Sequence, residues 1–144
     1  MTFITDLLKR KGRDVWTVSS DSTVYNALQV MADKNIGALM VVDGDKLMGV
    51  FSERDYARKI ILHGKASKDT LVKEIMSSEV FCIGPEQTIE QCMQLMTEKR
   101  IRHLPVLDEG RLVGVISIGD VVKAIISEQE FAIQQLEQYI IGQR

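Results

Sequence analysis

Sliding the 144-residue chain over itself by 65 positions aligns residues 15–61 with 80–126 without a gap, and 16 of the 47 aligned positions are identical. Thr23/Thr88, Met31/Met96, Ile36/Ile101, Leu39/Leu104, Val41/Val106, Asp43/Asp108, Gly49/Gly114, Ser52/Ser117 and Asp55/Asp120 are among them. Such a duplication means one supersecondary unit used twice. A unit of about 47 residues buries too little surface to stand alone, so the two copies are expected to pack on each other.

Each copy reads as β-α-β-β-α. A short strand (15–18, 80–83) runs into a turn marked by Ser20-Asp21-Ser22 or Gly84-Pro85. Thr23 and Thr88 suit the N-cap of the helix that follows, and Asn26 and Gln91 stand three residues on. Val24, Ala27, Leu28 and Met31 then recur at helical spacing, as do Ile89, Cys92, Met93 and Met96, which gives each helix one apolar face. Two β-rich runs come next (36–43 with 47–51, and 101–108 with 112–116), turned at Gly44 and Gly110, and Ser52 or Ser117 opens a last helix.

The expected organisation is an N-terminal helix within 1–14, a first repeat over 15–62, a linker over 63–79, a second repeat over 80–127 and a C-terminal helix over 128–144. The linker carries an amphipathic turn (Leu71, Val72, Ile75, Met76). Phe131, Ala132, Leu136 and Ile140 line one side of the C-terminal helix, either to dock on their own domain or to pack on a second subunit.

Eighteen basic against twenty acidic residues give a net charge of −2, so no global field recruits nucleic acid or an anionic membrane. No apolar run is long enough to read as a membrane span, and the basic cluster Lys9-Arg10-Lys11 follows the first apolar stretch rather than preceding it as in a secretory signal. Cytoplasmic localisation is expected. Cys82 and Cys92 are too few for a disulfide scaffold or a zinc site and read as two buried small hydrophobes in a reducing compartment. With no glycine-rich phosphate loop, no nucleophile triad in context and no paired histidines for a metal, catalysis is not expected; His63 reads as an exposed loop residue.

The most chemical feature is Ser52-Glu53-Arg54-Asp55 and its partner Ser117-Ile118-Gly119-Asp120, a hydroxyl and a carboxylate three residues apart where a strand becomes a helix. Such a carboxylate can accept two hydrogen bonds from the vicinal hydroxyls of a ribose. The same spacing is also that of an ordinary helix cap, and the residues alone leave both readings open. Lys99-Arg100-Ile101-Arg102-His103 is a second feature, able to grip phosphate or to form a solvated basic edge; no aromatics interleave it as a nucleic-acid surface would require.

The duplicated order of elements, with Leu104-Pro105-Val106-Leu107-Asp108, Leu112-Val113-Gly114-Val115-Ile116-Ser117 and Asp120, resembles the CBS domain, the module named after cystathionine β-synthase. The whole chain is similar to stand-alone bacterial CBS pairs in Phe51-Ser52-Glu53-Arg54-Asp55-Tyr56-Ala57-Arg58 and Ile101-Arg102-His103-Leu104-Pro105. The resemblance implies an α/β (α+β) fold of tandem repeats packed as a pseudo-twofold pair, with two clefts for adenosine-containing ligands. Carried over, one cleft takes Thr17, Ile36, Gly37 and Ala38 with Ser117 and Asp120; the other takes Cys82, Ile101, Arg102 and His103 with Ser52, Arg54 and Asp55. Phosphates are expected in the second, where Arg54, Arg102 and His103 stand together while the first has Gly119 in place of Arg54. The implied protein is a non-catalytic sensor of AMP, ADP, ATP or NAD/NADH that works as a homodimer and needs no metal. The alternatives are a purely structural dimer and, further off, a nucleic-acid binder using 99–103. Two positions depart from the family pattern: Met40 stands opposite Pro105, and Cys82 where a threonine is commoner.

Overall fold

The computed structural model describes residues 2–12 and 14–142. The elements in chain order are α1 (Ile4–Lys11), β1 (Thr17–Ser19), α2 (Val24–Lys34), β2 (Ala38–Asp43), β3 (Lys46–Ser52), α3 (Glu53–Asp55, continuing as a π-helical stretch over Tyr56–Ile61), α4 (Val72–Ile75), α5 (Ile89–Lys99), β4 (His103–Asp108), β5 (Arg111–Ser117) and α6 (Ile118–Gly142). They fall into two units: Asp14–Phe81 with Glu109–Leu112, and the described residues before Asp14 with Cys82–Asp108 and those from Val113 onward.

In the first unit, Thr23 Oγ1 accepts the Asn26 N–H at 3.1 Å and starts α2, and Asn35 ends it in the left-handed region at φ 54°. The helix is the crossover that a parallel pair requires: β1 runs parallel to β2, and β2 antiparallel to β3, in the order β1-β2-β3. Val24, Ala27 and Met31 of α2 join Val18, Leu39, Val41 and Phe51 of the sheet, Ile60 of the π-helical stretch, and Val72 and Ile75 of α4 in one buried cluster. At about 1.5–3 kcal/mol for each large apolar side chain buried, this cluster holds the sheet to its helices. The ladder begins at Thr17 rather than at Val15; Trp16 is left outside it with the Lys34 ammonium 4.2 Å from its ring centroid.

In the second unit, Thr88 and Gln91 form a complete capping box on α5, whose Ile89, Cys92 and Met96 are buried with Leu104, Val106, Ile116 and Val121. β4 and β5 form a hairpin turned by Glu109 and Gly110, both at positive φ (50° and 78°) as a type I′ turn demands. The expected strand over 80–83 shrinks to one residue. Ile83 alone bridges Val106, giving its N–H to the Pro105 carbonyl (3.1 Å) and accepting from Leu107 (3.0 Å). Gly84-Pro85 follows at once, and proline, with no N–H and a fixed φ, stops the ladder there.

The flanking segments turn out to be duplicated as well. Phe3 bridges Thr88, and Leu71 bridges Thr23. In the second unit Ile89, Ile4 and Thr5 donate their N–H groups to the carbonyls of Thr2, Gln87 and Pro85; in the first, Val24, Val72 and Lys73 donate to those of Thr70, Ser22 and Ser20. Asp6 accepts the Phe3 N–H and Glu74 the Leu71 N–H, so both short helices start in the same way. Thr2 to Leu8 therefore matches Thr70 to Met76 at an offset of 68, three more than the repeat itself. That change of register hides the match from a gapless comparison.

α6 is a single helix about 37 Å long by its 25 residues. It buries Val121 and Ala124, and from Gln129 to its end every residue is exposed. Docking of Phe131, Leu136 and Ile140 on their own domain, one of the two expectations, does not occur. The helix lacks the length of apolar sequence needed to cross a membrane, as does every other helix of the described residues.

Candidate functional site

Both Ser-x-x-Asp motifs sit where β3 and β5 give way to helices, and both act as caps. Asp55 N–H donates to Ser52 Oγ (3.2 Å), while Asp55 Oδ2 accepts from Ser52 N–H (3.0 Å) and its hydroxyl (3.1 Å). Asp120 N–H donates to Ser117 Oγ (3.1 Å), and Asp120 Oδ2 accepts from Ser117 N–H (2.8 Å). Each carboxylate thus spends one oxygen, Oδ2, on its own main chain.

A lysine meets each carboxylate. Lys59, one turn on, lies 3.3 Å from Asp55 Oδ1 and donates to the Ile75 carbonyl at 3.0 Å. Lys11, at the end of α1, donates to Asp120 Oδ2 and to the Val115 carbonyl, both at 2.5 Å. Partial burial works to raise the Asp120 pKa, but the Lys11 ammonium and the Ser117 donors outweigh it and hold the carboxyl below its usual 3.8. The i, i+4 spacing of Asp55 and Lys59 was legible in the sequence. Nothing local to Asp120 pointed to Lys11, which comes from more than a hundred residues away.

In the first unit, Ala38 pairs with Ser52 across β2 and β3, the Glu53 N–H donates to the Gly37 carbonyl (3.0 Å), and β2 also takes Thr17 as the Cα partner of Met40. Thr17, Ala38 and Ser52 therefore lie on three adjoining strands, with Gly37 just before β2, Asp55 on α3 just after β3, Ile36 half-buried and Arg54 exposed. A Cβ on Gly37 would meet only Glu53 Oε2, at 4.0 Å, so the glycine keeps this strand start open rather than relieving a clash. The second unit repeats the arrangement: the Ile118 N–H donates to the Arg102 carbonyl (2.8 Å), which sets Ile101, Arg102 and the start of β4 beside Ser117 and Asp120. Arg102 is exposed, His103 half-buried.

The cysteines divide. Cys92 is buried as expected, and burial, with a smaller contribution from the Asp120 charge, pushes its thiol up to about 12. Cys82 is exposed, against the expectation of two buried thiols: like Thr17, its counterpart in the first repeat, it faces outward while the next residue, Ile83 or Val18, is buried. His63 is exposed in a turn.

Two β-α-β-β-α units, each with a capped Ser-x-x-Asp at its second strand-to-helix junction, define a tandem-repeat module. The chain belongs to the CBS-domain family, whose pattern matches residues 5–62 and 72–127. Each match starts within a flanking segment, at α1 and at α4. The chain is 42% identical over 151 aligned residues to the mitochondrial CBS domain-containing protein CBSX3 of Arabidopsis thaliana, covering 98% of this chain and 73% of that protein. A CBS-domain protein from Burkholderia ambifaria MC40-6 shares its fold at a TM-score of 0.85 and 51% identity, over 89% of this chain and 96% of that one. More distantly, at 23% identity and a TM-score of 0.77, the CBS pair of MJ0100, solved in complex with 5′-methylthioadenosine and S-adenosyl-L-methionine, has the same fold over 89% of this chain and 98% of its own.

Proposed function

We propose that this CBS pair is a non-catalytic sensor of an adenosine-containing ligand, AMP, ADP, ATP or NAD/NADH, acting as a homodimer in a reducing compartment such as the cytoplasm. The observation that carries the reading is the duplicated carboxylate. In both copies Oδ2 serves the cap and Oδ1 takes none of the cap bonds; a sugar hydroxyl would donate to Oδ1, which on Asp55 it would share with the Lys59 ammonium 3.3 Å away. Each repeat thus carries both a strand start, at Gly37 or Arg102, and a capped carboxylate, the two kinds of contact that a base and a ribose require.

As in the family resemblance, one ligand draws on Thr17, Ile36, Gly37 and Ala38 together with Ser117 and Asp120. The other draws on Cys82, Ile101, Arg102 and His103 together with Ser52, Arg54 and Asp55. Exposed Arg54 and Arg102 make the second the phosphate-binding one. A ligand that draws on both repeats favours the arrangement of the pair that completes its contacts, which is a population shift with a regulatory readout.

A purely structural role is the second reading, supported by the completeness of both capping boxes in the protein alone. A thermal-shift panel of AMP, ADP, ATP, NADH and GTP separates the two. The sensor is stabilised by at least one adenine compound, by about 2.7 kcal/mol at a hundredfold excess over Kd, and not by GTP. A structural module melts at the same temperature with all five.

A further inference from the structure

The family match ends at residue 127, yet α6 continues unbroken to Gly142. Val122, Ile126, Gln129, Ile133, Leu136 and Ile140 follow one another along it at spacings of 4, 3, 4, 3 and 4. This is a heptad seam with isoleucine at the a position three times running, the β-branched residue that two-stranded coiled coils favour there, and valine, glutamine and leucine at d. The seam is bare: Ile126, Ile133, Leu136 and Ile140 are 50, 54, 61 and 58% exposed. The hollow lined by Gly119, Val122, Lys123, Ile126 and Glu130 marks its beginning.

We propose that this seam pairs with the same seam of a second copy of the chain, as an isologous two-helix coiled coil. The proposal deepens the homodimer of the preceding reading and rests on it. Half-exposed side chains of this size offer on the order of 600 Å² per copy once Tyr139 beside the seam is included, approaching the ~800 Å² per partner of a standard stable interface. Charge does not oppose the pairing. The residues flanking the seam are Lys123, Glu130 and Glu137 on one side and the uncharged Ile125, Ala132 and Tyr139 on the other, so no ladder of like charges repeats along it. Gln129 is the one polar core residue among the six.

The test is the mass of the full chain by sedimentation equilibrium, for the wild type, Ile133→Glu, Ile140→Glu and Phe131→Ser, the last lying off the seam. The expected result is a wild-type dimer, with both glutamate variants weakened by at least about a hundredfold in Kd and Phe131→Ser unchanged. Glutamate variants that dimerise like the wild type overturn the seam while the dimer stands; a monomeric wild type overturns both. Leu136→Ser, a milder change, keeps the comparison informative if a glutamate variant loses its helical circular dichroism.

Discussion

Lys11 Nζ and Asp120 Oδ2 lie 2.5 Å apart, joining the end of the first helix to the cap of the last. The same ammonium holds the Val115 carbonyl, whose counterpart in the first unit, the Val50 carbonyl, accepts instead from the main-chain N–H of Ser77. A side chain in one unit thus does the work of a strand-like segment in the other. Replacing Lys11 with Met should cost about 1 kcal/mol near neutral pH, the scale of a partly exposed ion pair, which is a drop of about 3 °C in Tm for a chain this size. The sign with pH follows from the lowered Asp120 pKa. The stabilisation is complete above the unfolded value near 3.8 and is lost as pH falls through the lower folded value. Thermal melts of wild type and variant should therefore converge in acid and separate above about pH 4.

The two caps can be separated from ligand binding by Asp55→Asn and Asp120→Asn. Asparagine keeps a carbonyl oxygen for the Ser52 or Ser117 N–H, so each variant should lose only about 0.5–1 kcal/mol of stability. With that oxygen on the cap, it presents an amide NH2 donor where the carboxylate offered Oδ1, and it carries no charge, so adenine-nucleotide affinity should fall more than about tenfold. Chemical denaturation and titration calorimetry on the same samples read the two effects apart.

Gly49 and Gly114 occupy equivalent places but different surroundings. A Cβ on Gly49 would stand 2.7 Å from the Ser77 carbonyl oxygen, which is fixed by its bond from Val50 N–H; on Gly114 it would stand 2.6 Å from Leu8 Cδ2, a side-chain end that can rotate. Gly49→Ala should therefore destabilise by about 3 kcal/mol and Gly114→Ala by nearer 1 kcal/mol. Urea midpoints give the order, and Leu8→Ala should relieve the second and leave the first unchanged.

Thiol labelling should distinguish the cysteines. Exposed Cys82 reacts with a maleimide in the native protein, whereas Cys92, buried and with its thiol pushed up to about 12, reacts only after unfolding. Mass spectrometry of the labelled peptides reports each site directly.

How much of this was legible in the sequence depended on whether the determining signal was local. Periodicity and capping residues specified α2 and α5, since Thr23 and Thr88 satisfy their own helices within three residues. The motif Ser-x-x-Asp was visible, and its cap geometry is as its spacing dictates. The seating of Leu71 against Thr23 and of Phe3 against Thr88 was not, because a three-residue difference in linker length breaks the register of the duplication. Cys82 escaped because residue type outweighed position: alternation with buried Ile83 puts it on the outer face, as Thr17 stands beside buried Val18. The partnership of Lys11 with Asp120 is purely tertiary and leaves no mark in the local sequence.

The central claim, that paired carboxylates make this chain a receptor for adenosine compounds, is met most directly by calorimetric titration of AMP, ATP and NADH into the wild type and the Asp55→Asn/Asp120→Asn double variant. Saturable heat from at least one of them in the wild type, abolished in a double variant that still melts cooperatively, is the predicted result. Identical isotherms for the two proteins, or no heat from any of the three compounds, would contradict it.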